Sequence, residues 1–134
     1  MVGIDGLENV KVRLSSGRSV SMIDLFRFVY QLSEIDIIIL RYLIKKGNCT
    51  VDELAEELCL NRSSVSRSLL RLLRAGLIAR VREVSIRRAG RPKYIYKILD
   101  MNELENKVVS DVSEYVDAAR KLVSTLRVQV SSSN

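Results

Sequence analysis

The run from Asn61 to Gly76 constrains this chain more than any other stretch. Asn61 suits a helix N-cap, since its side-chain oxygen can accept an otherwise unpaired backbone N–H of the first turn. Gly76 suits the end of the same helix, where a left-handed residue closes the last turn. At about 100° per residue, Val65, Leu69, Leu72 and Leu73 fall on one side, and Ser63, Ser64, Arg67, Arg71 and Arg74 on the other. The first side must be covered. The second carries arginines and small hydroxyls with no acid among them, whereas a merely solvated face mixes both charges.

The flanks complete a pattern. Before Asn61, Asp52 to Leu58 reads as a short helix with Leu54, Ala55 and Leu58 inward, and Cys59-Leu60-Asn61 as a tight turn. After Gly76, Leu77 to Ile86 alternates weakly, and Tyr94, Ile95, Tyr96 and Ile98 read as a return strand. Between them lies Arg87-Arg88-Ala89-Gly90-Arg91-Pro92-Lys93, with the chain's only proline at the loop-to-strand junction. A short helix, a tight turn, a helix open on one side and a two-stranded basic hairpin together predict a winged helix-turn-helix.

Charge is segregated to match. Residues 61–97 hold eleven Lys/Arg and a single acid, Glu83, while residues 1–60 and 98–134 each carry a net charge of −2. One strongly basic segment between two mildly acidic ones points to a polyanionic partner. The candidate double-stranded DNA contacts are Asn61, Arg62, Ser63, Ser64, Ser66, Arg67, Arg71 and Arg74 on the helix, and Arg87, Arg88, Arg91 and Lys93 in the wing. Arginine can bond guanine edges or phosphates, and small serines allow close approach.

The rest of the chain reads as support. Residues 1–20 form an N-terminal segment in which Val10, Val12 and Leu14 alternate with Lys11 and Arg13, and Ser15-Ser16-Gly17-Arg18 signals the turn of a short hairpin. Ser21 with Asp24 and Ser33 with Asp36 have capping-box spacing, opening helices over Met22–Gln31 and Glu34–Lys46. Ile23, Phe26 and Tyr30 share one face of the former. The latter is apolar nearly all round, hence buried on most sides, and Gly47 stops it. The expected domain is therefore 21–99. Over 100–130, Asp100 or Asn102 caps a last helix in which Leu104, Val108, Val112, Tyr115, Ala119, Leu122 and Leu126 recur every three or four residues. That heptad-like stripe predicts a dimerisation helix pairing with a second copy; Ser131–Asn134 reads as a polar tail.

Several classes are excluded or disfavoured. The chain has no histidine and only Cys49 and Cys59 as cysteines, so a Cys/His zinc site and a Ser-His or Cys-His nucleophile pair cannot be built within it. No apolar run reaches the roughly 18 residues of a membrane span, and no secretory signal is apparent, which makes the cytoplasm the expected compartment. No enzyme, metal or cofactor is expected, and nothing marks an effector. Cys49 and Cys59 leave open either a redox pair or ordinary buried thiols.

Leu32-Ser33-Glu34-Ile35-Asp36, Val51-Asp52-Glu53-Leu54-Ala55, Asn61-Arg62-Ser63-Ser64-Val65-Ser66-Arg67, Leu70-Arg71-Leu72-Leu73-Arg74-Ala75-Gly76-Leu77-Ile78 and Gly90-Arg91-Pro92-Lys93-Tyr94 follow one another in a familiar order. From Leu32 to Leu99 the chain resembles the small archaeal winged helix-turn-helix regulators of the MarR, ArsR and TrmB-like groups. The resemblance implies that Ser63, Ser64, Arg67 and Arg71 take base-reading or phosphate positions, that Arg88 and Arg91 make the wing contacts, and that the last helix is a dimer arm. It does not extend to the sugar-binding domain of long TrmB-type proteins or the metal-ligand cluster of ArsR-type sensors. The expectation is a mainly α fold with a small β-wing and a long C-terminal dimerisation helix, acting as a sequence-specific DNA-binding transcriptional regulator, a dimeric repressor. A chromatin-like DNA-coating protein and a protein-interaction winged helix are the alternatives.

Overall fold

The computed structural model describes residues 9–83 and 93–133. It divides into two units, Met1–Leu99 and Asp100–Asn134.

In the first unit, β1 (Lys11–Arg13) and β2 (Ser19–Ser21) pair antiparallel, with Val12 opposite Val20. Helix α1 (Met22–Tyr30) follows directly. Its capping box is complete: the Ser21 backbone N–H donates to Asp24 Oδ2 at 2.9 Å, and the Asp24 N–H donates to Ser21 Oγ at 3.2 Å. Ile23, Phe26 and Val29 are buried, so the face is turned slightly from the expected one and Tyr30 is only half-buried.

Helix α2 (Glu34–Lys46) begins with the second capping box, Ser33 with Asp36. Ile37, Ile39, Leu40 and Leu43 are buried, as the nearly uniform apolar character requires. Gly47, at φ 101°, ends the helix in a conformation that L side chains rarely adopt. The chain then forms β3 (Asn48–Cys49), and Thr50 caps α3 (Val51–Leu58) through a third box with Glu53. Helix α4 (Arg62–Ala75) is capped by Asn61 and closed by Gly76 at φ 77°. Strands β4 (Ile78–Glu83) and β5 (Lys93–Ile98) make the wing, and β3 adds to the other side of β5, giving an antiparallel sheet in the order β3-β5-β4.

The core lies where α2 and α3 pack on α4, with Leu40, Leu43, Leu54, Val65, Leu69, Leu72 and Leu77 fully enclosed. This is a winged helix-turn-helix, mainly α with a small β-wing, as the sequence predicts. Cys49 is buried in β3. Burial first, and then the nearby Glu53 carboxylate, push its thiol up to about 11. A thiol so rarely ionised at neutral pH is a poor partner for disulfide exchange.

The second unit is one helix, α5 (Met101–Ser132), of 32 residues. Asp100 and Glu103 form its capping box. It runs two residues into the stretch read as a tail, because the Ser132 and Ser133 hydroxyls turn back onto the Gln129 and Val130 carbonyls. Leu104 and Val108 are buried and Val112 is half-buried, whereas Tyr115, Ala119, Leu122 and Leu126 are exposed. No helix among the described residues is long and apolar enough to cross a membrane.

Candidate nucleic-acid interface

The turn between α3 and α4 sets the angle at which α4 leaves the core. Cys59 occupies the left-handed region (φ 54°, ψ 45°), and the Leu60 N–H closes onto the Ala55 carbonyl at 3.0 Å. An L residue there costs roughly 1–2 kcal/mol. Cys59→Gly is expected to gain about 0.5–1 kcal/mol after the extra freedom of the unfolded glycine is subtracted. A higher urea midpoint at unchanged slope would show it.

At the N-terminus of α4, Asn61 Oδ1 accepts from the Ser64 backbone N–H at 2.8 Å and from Ser63 Oγ at 2.9 Å. The side-chain oxygen of Asn61 is thus occupied in shaping the helix start. Arg62 pairs with Asp52 of α3 at 3.1 Å, both exposed. Such a surface pair is worth at most about 1 kcal/mol, so a phosphate can compete for the guanidinium.

One flank of α4 is fixed by a buried network that the sequence reading missed. Asp36 of α2 is 1% exposed. Arg71 donates to it through Nε (3.1 Å to both oxygens) and Nη2 (2.8 Å to Oδ1), and Ser68 Oγ donates to Oδ1 at 2.5 Å. The Ser33 N–H completes the set at 3.0 Å. Burial by itself would raise the Asp36 carboxyl. The hydrogen bonds from Arg71, Ser68 and Ser33 outweigh it and hold the group below the ordinary carboxylate value. The same bonds raise Arg71. Arg71, expected on the outward face, stays half-exposed but has its Nε and Nη2 held by Asp36: a carboxylate in an apolar core requires a cation and donors, and Arg71 and Ser68 sit on the flank of α4 nearest to it.

What remains outward is Ser63, Ser66, Arg67, Leu70 and Arg74, all exposed, with Ser64 half-buried at the edge. Arg67 Nη2 lies 3.5 Å from Ser64 Oγ, one turn earlier. No acidic residue occurs on α4.

On the wing, alternation places Ile78, Arg80 and Arg82 on one sheet face with their partners Ile98, Tyr96 and Tyr94. The inner end of that face is buried at Ile78 and Tyr96. Farther out, the Arg80 guanidinium lies 4.3 Å from the centroid of the Tyr94 ring, a cation–π contact that holds a positive charge in place. Sequence reasoning passed over Arg80, Arg82 and Tyr94, although two arginines two apart in a strand before a basic loop could have signalled them. Lys93 opens β5 opposite Glu83. Arg87, Arg88 and Arg91 lie outside the described residues. Among the described residues no cluster of His, Cys, Asp or Glu could hold a metal ion.

Known proteins place this geometry. Over 104 residues the chain is 29% identical to an uncharacterized protein of Methanocaldococcus jannaschii, covering 78% of this chain and 84% of that one. Among solved structures it resembles a possible transcriptional regulator from Methanosarcina mazei, with a TM-score of 0.71 at 20% identity over 88% of this chain and 98% of that one. It also resembles the ST1889 protein of Sulfolobus tokodaii, with a TM-score of 0.57 at 24% identity over 72% and 93% of the two chains. At these identities the structural likeness speaks for the fold. The family model described as "Sugar-specific transcriptional regulator TrmB" matches residues 26–102, from α1 through the helix-turn-helix and wing to the start of α5. That span exceeds half of the chain, and the chain belongs to the TrmB family of transcriptional regulators.

Proposed function

We propose that this regulator is a cytoplasmic, sequence-specific dimeric repressor that binds a two-fold DNA site. The observation that carries the reading is the outward face of α4. Ser63, Ser66, Arg67 and Arg74 stand exposed there with no acid among them, while Asp36 holds the opposite flank against α2. Such a face suits entry into the major groove, where arginine bonds guanine edges and serine permits close approach. Arg62 and Lys93 suit phosphates alongside, and so by their charge do Arg87, Arg88 and Arg91 of the sequence; such contacts position the protein without selecting sequence.

Dimerisation through α5 is supported by its exposed apolar side chains. Val116, Leu122, Val123, Leu126 and Val130 recur at spacings that keep them on one broad stripe, and Leu122 is 70% exposed. A helix of 32 residues bearing such a stripe gains by covering it with a second copy. Sedimentation is expected to give a dimer at micromolar concentration, and Leu122→Glu with Leu126→Glu to shift it to monomer. Repression follows from occupancy: a dimer seated on a promoter excludes polymerase.

The test is selection from random duplexes. The reading predicts an enriched inverted repeat with half-sites about 10 base pairs apart, or a multiple of that. A pool that stays random through successive rounds would contradict it and favour a coating protein.

A further inference from the structure

The outward face of α4 contains one residue out of keeping with a polar contact surface. Leu70 is 44% exposed. It lies three residues after Arg67 and four before Arg74, on the same side of the helix. The core is already supplied by Val65, Leu69 and Leu72. The adjacent Arg71 is drawn away by Asp36, so Leu70 sits at the middle of the open face between two arginines. Base-pair edges in the major groove offer one apolar group, the C5-methyl of thymine. An apolar side chain between two cationic ones matches a thymine bordered by groove edges or phosphates that take arginine. Residues 67 and 70 are separated by about 4.5 Å along the helix axis, on the order of the 3.4 Å base step.

We propose that Leu70 is a specificity-determining residue that packs on the C5-methyl of a thymine in each half-site, next to the base that Arg67 faces. The inference rests on the reading above that α4 enters the major groove.

The experiment uses the full chain and the duplex enriched by selection. Each thymine of the half-site is replaced in turn by deoxyuridine, which removes the methyl group and leaves every hydrogen-bonding edge intact. Affinity is measured by fluorescence anisotropy for the wild type and for Leu70→Ala, a surface substitution whose folding is checked by circular dichroism. At one position the wild type is expected to weaken about fourfold, the worth of one methyl group removed from water. Leu70→Ala is expected to bind the thymine and deoxyuridine duplexes equally at that position. A preferred site with no methyl-sensitive thymine, or a Leu70→Ala protein as sensitive as the wild type, would overturn this proposal and leave groove entry standing. Absence of any preferred site would overturn groove entry and this proposal together.

Discussion

Asp36→Ala is expected to destabilise the domain by about 3 kcal/mol and to lower its melting temperature by roughly 10 °C. The substitution removes the acceptor of Ser68, of both Arg71 donors and of the Ser33 N–H in one step. Breaking a buried pair typically costs about 3–5 kcal/mol. The lower end applies here because the Arg71 side chain is half-exposed and recovers hydration. Ser68 does not, being fully buried. Asp36→Asn keeps the shape and one acceptor and should cost less. Replacing the whole network by apolar residues of similar volume (Asp36→Leu, Ser68→Ala and Arg71→Met together) should recover most of the loss, as buried ion pairs often exchange neutrally for packing. If Asp36→Ala melts like the wild type, the network does not anchor α4.

The same group sets an acid limit. Its folded pKa lies below its unfolded one, so its contribution is complete above the unfolded value of about 4. It is lost as pH falls through the folded value. Wild-type stability should therefore drop on acidification below about pH 4 more steeply than that of Asp36→Asn.

Arg67→Ala carries the second large effect. Arg67 is exposed on the open face of α4 and has its nearest polar contact with Ser64, a weak one at 3.5 Å, so its guanidinium is available to a base edge. A bidentate guanine contact is worth about 1–3 kcal/mol of discrimination, or roughly five- to 150-fold in affinity for the preferred site. Affinity for random DNA should fall little. The ratio of the two affinities is the readout, because a general loss of positive charge lowers both together. Equal loss on preferred and random duplexes would assign Arg67 to phosphate rather than to sequence reading.

Local signals in the sequence were sufficient for most of the frame. Ser21 with Asp24, Ser33 with Asp36, Asn61 and Gly76 announce helix ends through hydrogen bonds made within a few residues, and each is found in place; of the two caps open for the last helix, Asp100 and Asn102, it is Asp100 that forms the box with Glu103. The Asp36 network was not legible in that way. Its partners lie 32 and 35 residues along the chain, and Asp36 already had a sufficient local explanation as a cap. The overlooked sign was an acid inside an otherwise apolar helix, which asks for a distant cation. The bond from Arg71 to Asp36 was missed for the same reason: at the border of two faces, helical periodicity alone does not say which way a long side chain turns. Tyr94 and Arg80 were missed because the wing alternates weakly, so the shared face becomes visible only once the register is known. On α5, spacing identified an apolar stripe but not that its first members, Leu104 and Val108, are already buried.

The most direct measurement is an anisotropy titration of the wild-type chain against its selected duplex and against random duplex, across a salt series from about 50 to 200 mM, over which phosphate contacts lose strength steeply. A base-reading α4 predicts that both affinities fall with salt while the preference for the selected duplex persists at the upper end. Two affinities that fall together to the same value would contradict it, leaving α4 a phosphate-binding helix that reads no sequence.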